Sequence, residues 1–132
     1  MSPWRWVDQT ALMLLHEESL AEHGGAPGIR DEALLKSALA RPHNLLAYGE
    51  PDLAALAAAY AVGIAKNHPF VDGNKRAGFL ALGLFLFLNG HRLVATQAEA
   101  TLTMFGVAGS EIDEEIFAAW VRDHMQARVT QR

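Results

Sequence analysis

The longest apolar stretch in this 132-residue chain is AGFLALGLFLFL, residues 77–88, between Arg76 and Asn89. A helix that spans a bilayer needs about 20 apolar residues, and these twelve are too few. The stretch contains Leu and Phe but no Val, Ile or Thr, which favours a helix over a strand. We therefore predict a buried helix over residues 74–89, which ends at Gly90 and lies in the centre of the fold.

Five further segments have the spacing of amphipathic helices. They are residues 8–22, 31–41, 52–66, 96–108 and a last segment that opens at Glu111 or Asp113, with Ile116, Phe117, Trp120 and His124 on one side. Pro42 is expected to end the second helix, so that residues 42–51 form a loop or small flap before the third. The predicted fold is all-α, a single domain over residues 1–132 with about six helices around the central one.

Composition and charge exclude several classes of protein. The chain has 11 Lys and Arg against 15 Asp and Glu, a net charge of −4, so no direct binding to nucleic acid or to a membrane is expected. The absence of Cys rules out a disulfide scaffold and a cysteine metal cluster. The start, MSPWRWVDQT, lacks the pattern of a secretory signal, which predicts a cytoplasmic protein.

One polar string differs from its surroundings: HPFVDGNKR, residues 68–76, at the entrance to the central helix. Gly73 permits a tight turn, the first N–H groups of the helix lack internal acceptors, and two cations follow, a combination typical of a phosphate site. Asp72 is a suitable ligand for Mg²⁺, and His68 can accept a proton near neutral pH. Taken singly, each residue fits an ordinary turn, helix cap or solvated surface. Together and in this order they favour a reaction site.

The same string resembles the signature of the Fic/Doc family, H-x-F-x-(D/N)-(A/G)-N-K-R, in the form carried by its Doc branch, the death-on-curing toxins of bacterial toxin-antitoxin modules. All specified positions match. Three other stretches are similar to this branch: GGAPGIRD, SALARPHNLLAYGE and LFLFLNGHRL. The resemblance covers nearly the whole chain and implies the Fic fold.

The resemblance also implies a role for each matching residue. His68 would be the base that takes a proton from a target hydroxyl, Phe70 would be buried and hold the loop, and Asp72 would bind Mg²⁺ directly or through water. Four residues would hold the nucleotide phosphates: Gly73, Asn74, Lys75 and Arg76.

Two positions depart from the Fic proteins that transfer AMP, which carry G-N-G-R and a second arginine three residues later. Here Lys75 replaces the middle glycine, and Phe79 occupies the second arginine position. The Doc branch shares these departures, and its nucleotide is taken to bind reversed, with the γ-phosphate toward the hydroxyl. The resemblance therefore implies a kinase that moves the γ-phosphate of ATP to a threonine of elongation factor Tu and arrests translation. An AMP transferase and a catalytically idle module that binds an antitoxin and helps it repress their promoter are the alternatives.

Many Fic enzymes carry an inhibitory helix with the pattern (S/T)-x-x-x-E-(G/N). The nearest match here is SEIDEE, residues 110–115, which lacks the final Gly or Asn. The resemblance therefore implies restraint by a separate small antitoxin, whose disordered tail folds on binding to the toxin.

Several residues outside the string are assigned ordinary roles. His16 is placed on the polar face of the first helix, and His91 and Arg92 on a solvated turn. Tyr48 is expected to cover the core from its loop, with contact to a target peptide as the alternative. Trp4 and Trp6 either pack at the edge of the core or line a partner groove.

Overall fold

The computed structural model describes residues 3–128, which form six helices and one small sheet. The elements are α1 (Gln9–His23), α2 (Glu32–Ala47), α3 (Leu53–Asn67), α4 (Asn74–Leu88), β1 (His91–Leu93), α5 (Gln97–Ala108), α6 (Glu114–His124) and β2 (Met125–Ala127). The prediction of an all-α fold with about six helices is confirmed. None of the helices in the described part of the chain is both long and apolar enough to cross a bilayer.

Five of the six helices begin at a side-chain cap, and α4 does not. The capping side chains are Asp8, Asp31, Asp52, Thr96 and Asp113, each of which accepts a hydrogen bond from a main-chain N–H in the first turn. A cap of this kind typically contributes about 1 kcal/mol. The N-cap of α4 is Gly73, which has no side chain to supply such a bond. The N–H groups at the start of α4 are therefore left for another acceptor.

The centre of the core is formed by α3 and α4, and α3 is the more deeply buried helix. Every residue from Leu53 to Ala65 is buried, with the exception of Ala55. The two helices approach closely, because a Cβ atom added at Gly78 of α4 would lie 2.9 Å from the carbonyl oxygen of Ala61 in α3. Small residues on both helices thus fix the position of α4, and with it the position of its first turn.

The second helix is longer than the sequence predicts. It continues through Pro42 and ends at Ala47, so the expected stop before the proline is wrong, and the loop before α3 is confined to residues 48–52. Proline inside a helix removes one main-chain hydrogen bond. Here Pro42 is itself buried and Leu46 packs on the core, and this burial offsets the loss. Tyr48 is 93% exposed, so the prediction that it covers the core is also wrong.

The two short strands were not predicted. Strand β1 pairs antiparallel with β2, His91 opposite Ala127 and Leu93 opposite Met125, so His91 and Arg92 belong to a strand and not to a solvated turn. Strands of three residues are too short to show an alternating pattern, and this pair joins distant parts of the chain. The sheet connects the end of α6 to the end of α4.

Aromatic residues close the core at two edges. The rings of Trp4 and Trp6 lie 6.2 and 5.8 Å from the ring of Phe85, which confirms that they pack at the edge. On α6, Trp120 stacks on Phe117 with ring centroids 6.0 Å apart. Ile116, which the sequence groups on one side of this helix with Phe117 and Trp120, is 59% exposed and does not join the core.

The contact between α3 and α4 predicts opposite effects for two glycines of α4. Gly78→Ala would force the helices apart and should lower the free energy of unfolding by about 1–3 kcal/mol. At Gly83 an added Cβ meets nothing within 4 Å, so Gly83→Ala should raise it by about 0.5–1 kcal/mol. Urea denaturation of both variants measures the difference. Equal effects of the two substitutions would contradict this packing.

Candidate active site at the start of α4

The residues that resemble the family signature lie in a loop framed by a second loop from a distant part of the chain. The signature loop (residues 68–73) connects α3 to α4, and the glycine loop (residues 24–31) connects α1 to α2. The main-chain N–H of Arg30 and that of Asp31 donate to the carbonyl oxygen of Pro69, at 2.7 and 3.1 Å. The N–H of Val71 donates to the carbonyl oxygen of Gly28 at 3.0 Å. Backbone pairing between the two loops thus fixes the course of the signature loop.

Asn74 and Phe70 close the signature loop from within. The N–H of Phe70 donates to Oδ1 of Asn74 at 2.9 Å, and Nδ2 of Asn74 donates to the carbonyl oxygen of Phe70 at 3.0 Å. The Phe70 side chain is 2% exposed, as the resemblance implies. Both polar atoms of the Asn74 side chain are therefore engaged within the loop, and its main-chain N–H is the group that remains for a phosphate.

His16 lies beneath the signature loop, although the sequence placed it on the polar face of α1. The side chain is buried, its ring centroid lies 4.2 Å from that of Phe70, and its Nε2 donates to the carbonyl oxygen of Asp72 at 3.0 Å. Burial is the main cause that lowers the pKa of His16 below its ordinary value, so the ring is neutral at neutral pH. Its Nδ1 atom has no hydrogen-bond partner among the described residues.

The carboxylate of Asp72 is exposed and held by two main-chain N–H groups. Ala26 of the glycine loop donates to Oδ2 at 3.2 Å, and Gly73 donates to Oδ1 at 2.8 Å. These hydrogen bonds, the one from Ala26 above all, lower the pKa of Asp72, and the positive charge of Arg76 acts in the same direction. The side chain is therefore an anion with free lone pairs on both oxygens.

This carboxylate fits the way in which proteins hold Mg²⁺ together with a nucleotide. Mg²⁺ usually takes one or two carboxylates and completes its octahedral shell with phosphate oxygens and water. The described residues contain no group of three or more His, Cys, Asp or Glu that could hold a metal ion by themselves. Asp72 would therefore be the protein ligand of an ion that arrives with the phosphates.

The first turn of α4 has the properties of an anion site. Gly73 has φ 72° and ψ 27°, which turns the chain sharply into the helix. The N–H of Ala77 donates to the carbonyl oxygen of Gly73 at 2.8 Å. The N–H groups of the three preceding helical residues have no acceptor within residues 3–128. These free donors and the helix dipole favour a negatively charged ligand.

Two cationic side chains accompany these donors. Nζ of Lys75 lies 5.0 Å from the centre of the Phe105 ring, a cation–π contact that holds it toward α5. The guanidinium of Arg76 is exposed and forms no hydrogen bond or ion pair with any residue of the described chain. Both are free of carboxylate partners and therefore available to phosphate.

A cleft of about 860 Å³ lies in front of this turn, between α4, β1 and α5. Phe79 of α4, Phe105 of α5 and His91 and Arg92 of β1 line it. Five residues of the signature line it as well: Asp72, Gly73, Asn74, Lys75 and Arg76. The sequence placed His91 and Arg92 on a solvated turn, whereas they belong to β1, which pairs with β2 and contributes to the lining of the cleft.

His68 lies at the end of α3, is exposed and is not among the residues that line the cleft. Its backbone is in the left-handed conformation, φ 51° and ψ 53°, and its N–H donates to the carbonyl oxygen of Ile64 at 3.2 Å. Its imidazole makes no hydrogen bond with any of residues 3–128. The structure thus brings the anion-binding groups together in the cleft and leaves the imidazole accessible from solvent.

The contact between Gly73 and His16 predicts that a side chain at position 73 lowers the stability of the fold. A Cβ atom there would lie 2.9 Å from Cε1 of His16, and φ is positive as well. Gly90 also has positive φ, but nothing lies within 4 Å of its added Cβ. Gly90→Ala should therefore lower the free energy of unfolding by only about 1–2 kcal/mol, the cost of a side chain in the left-handed region. Gly73→Ala should cost about 1–3 kcal/mol more in the free energy of unfolding. Denaturation of both variants tests this, and equal costs would contradict it.

Comparison with known proteins identifies the family. A sequence model of the Fic/DOC family matches residues 6–86, which is more than half of the chain. The protein named Protein kinase doc from Escherichia phage P1 is 33% identical over 119 residues, which cover 89% of this chain and 94% of that protein. The protein named Toxin Doc from Mycolicibacterium smegmatis is 44% identical over 75 residues, 54% of this chain and 57% of that protein. With the signature loop in place at the start of α4, these matches show that the chain belongs to the Fic/DOC family, in its Doc toxin branch.

Proposed function

We propose that this protein is a Doc-type toxin that transfers the γ-phosphate of ATP to a threonine hydroxyl of elongation factor Tu and so arrests translation in the cytoplasm. One observation carries the proposal: the uncapped first turn of α4 directs free N–H groups and two unpaired cations into a cleft beside an ionised carboxylate. Phosphoryl transfer depends chiefly on positioning and on electrostatic stabilisation, and these groups supply both.

The nucleotide phosphates would bind to the main-chain N–H groups at the start of α4 and to the side chains of Lys75 and Arg76. Because the donors are fixed before the ligand arrives, they stabilise charge on the phosphoryl group without reorganisation. Mg²⁺, when bound at Asp72, would supply positive charge that offsets the charge of the transferred group.

His68 would act as the base that takes the proton from the attacking hydroxyl. Its exposed imidazole suits a hydroxyl carried by a folded protein, since such a substrate approaches from solvent. The hydroxyl oxygen forms a bond to the γ-phosphorus, the bond to the β,γ-bridging oxygen breaks, and ADP leaves.

The residues at two positions support transfer of a phosphoryl group over transfer of AMP. Lys75 occupies the place of the glycine found in AMP-transferring relatives, and its ammonium is held against Phe105. Phe79 lines the cleft where those relatives have their second arginine. A nucleotide bound in the orientation for AMP transfer would thus meet the Lys75 side chain where it needs space. It would also meet the Phe79 ring where it needs a cation.

Restraint by a separate antitoxin is part of the proposal. The antitoxin would be a small protein whose tail is disordered alone and folds on the toxin. The segment 110–115 lacks the inhibitory pattern, which supports control from outside the chain. The neighbouring gene of the operon should encode this partner.

The first test is a comparison of growth and of target mass. Wild type, His68→Ala and His43→Ala are each induced without antitoxin, and the mass of elongation factor Tu is measured. His43 is exposed and packs on Trp6 at the opposite edge of the core, so it serves as the matched control. We expect wild type and His43→Ala to arrest growth and add one phosphoryl group to the factor, and His68→Ala to do neither.

Each other outcome of this test overturns a named part of the proposal. Addition of AMP in place of phosphate would make the protein an AMP transferase. Growth arrest with an unmodified factor would remove elongation factor Tu as the target. No arrest and no modification by wild type would indicate the idle, antitoxin-binding module, and toxicity of His68→Ala equal to wild type would remove the base assignment.

A second test separates the bulk of Lys75 from its charge. Lys75→Met keeps the volume and removes the ammonium, so phosphoryl transfer should slow by about tenfold or more, as expected when one stabilising charge is lost, with no AMP transfer. Lys75→Gly also opens the space, so it should weaken phosphoryl transfer and permit some AMP transfer. Mass spectrometry of the modified target distinguishes the two products. If Lys75→Gly keeps the kinase activity of wild type, Lys75 does not set the direction of the nucleotide.

A further inference from the structure

Arg30 of the glycine loop contacts three consecutive carbonyl groups at the end of α3. Its Nε donates to the carbonyl oxygen of His68 at 2.7 Å, and its Nη2 donates to that of Asn67 at 2.9 Å. Its main-chain N–H donates to the carbonyl oxygen of Pro69 at 2.7 Å. One residue, 38 positions away from His68 in the chain, therefore contacts the peptide groups on both sides of the imidazole, together with Asp31, whose N–H also donates to Pro69.

The backbone of His68 needs such support. A residue before proline avoids the right-handed helical region, so α3 cannot continue through His68 and the backbone must choose between the extended and the left-handed region. The left-handed region is unfavourable for a residue with a side chain, yet His68 adopts it with φ 51°. The two hydrogen bonds from the charged guanidinium favour this state, because they satisfy carbonyl groups that the end of a helix leaves free.

The direction of the imidazole depends on that choice. The backbone angles at His68 determine where its Cβ atom points, and a change from the left-handed to the extended region would turn the side chain away from its present direction. The imidazole itself makes no hydrogen bond with the described residues. The fold therefore sets the direction of this side chain through the backbone conformation of His68.

We propose that Arg30 is a positioning residue that holds His68 in the left-handed conformation and so aims its imidazole at the substrate hydroxyl. Arg30 acts through the His68 carbonyl and takes no part in proton transfer. The effect on catalysis rests on the proposed function, whereas the effect on the His68 backbone does not.

The test compares Arg30→Met and Arg30→Lys with Arg5→Met. Arg5 is exposed and its side chain has no partner among the described residues, so Arg5→Met removes the same charge elsewhere on the surface. Two readouts are measured on each full-length variant. The first is kcat and KM for ATP with elongation factor Tu as substrate. The second is the set of NMR shifts of His68, whose ¹³Cα and ¹³Cβ values report φ and ψ, together with amide hydrogen exchange of its N–H.

Arg30→Met should lower kcat by about tenfold or more, as misplacement of a reacting group does, with KM for ATP unchanged because the groups at the start of α4 are intact. Its His68 carbon shifts should move toward extended values, and its amide should exchange faster. Arg30→Lys should fall between wild type and Arg30→Met, since an ammonium can donate to one of the two carbonyls but lacks the planar fork. Arg5→Met should match wild type in every measurement.

The two readouts separate failure of this inference from failure of the proposed function. If wild type does not phosphorylate elongation factor Tu, the proposed function is wrong, and the His68 shifts alone then decide the role of Arg30. Wild-type shifts of His68 in Arg30→Met would overturn the inference whether or not the kinase exists. Changed shifts with a wild-type kcat would also overturn it, because the backbone conformation would then not matter for the reaction. Should Arg30→Met fail to fold, Arg30→Lys provides the same comparison.

Discussion

The structure depends on one tight contact, in which Gly73 lies against the buried ring of His16 at the start of α4. A Cβ atom added at this position would lie 2.9 Å from Cε1 of His16, so a side chain here would displace the buried ring. The other five helices gain about 1 kcal/mol each from a capping side chain, and α4 forgoes it. The same feature that removes the cap leaves the first N–H groups of α4 free to face the cleft. Lower stability of this helix end and the capacity to bind an anion therefore have a single cause.

The signature loop is rigid because several parts of the chain hold it at once. The glycine loop pairs with its backbone, Asn74 closes it from one side, and His16 supports the carbonyl of Asp72 from below. Each of these partners satisfies polar groups of the loop that would otherwise have no hydrogen-bond partner within the protein. A site for phosphoryl transfer requires donors that are placed before the ligand binds, and this network provides them.

The sequence was sufficient to predict features that have a local signal. It did not predict features formed by residues that are distant in the chain. Capping residues and apolar spacing located six helices, and the signature string located the anion-binding turn. The extension of α2 through Pro42 escaped prediction, because burial of that proline against the core outweighs its local preference. The strands at His91 and Met125 were not predicted either, since each is three residues long and pairs with a segment that is distant in the chain. His16 was placed on a polar face because nothing in α1 reveals that the signature loop will cover it.

The net charge of the chain is opposite in sign to the charge of the residues that line the cleft. The whole sequence carries −4, yet the residues that line the cleft include three cations, Lys75, Arg76 and Arg92, and one carboxylate, Asp72. A phosphate chain with its metal ion would therefore enter a locally positive cleft in an otherwise acidic protein, and this field favours polyphosphate over other anions of lower charge. His68, the proposed base, is exposed and is not among the residues that line this cleft. This separation suits a reaction in which a small anionic donor is held in the cleft and a neutral hydroxyl arrives on a macromolecule.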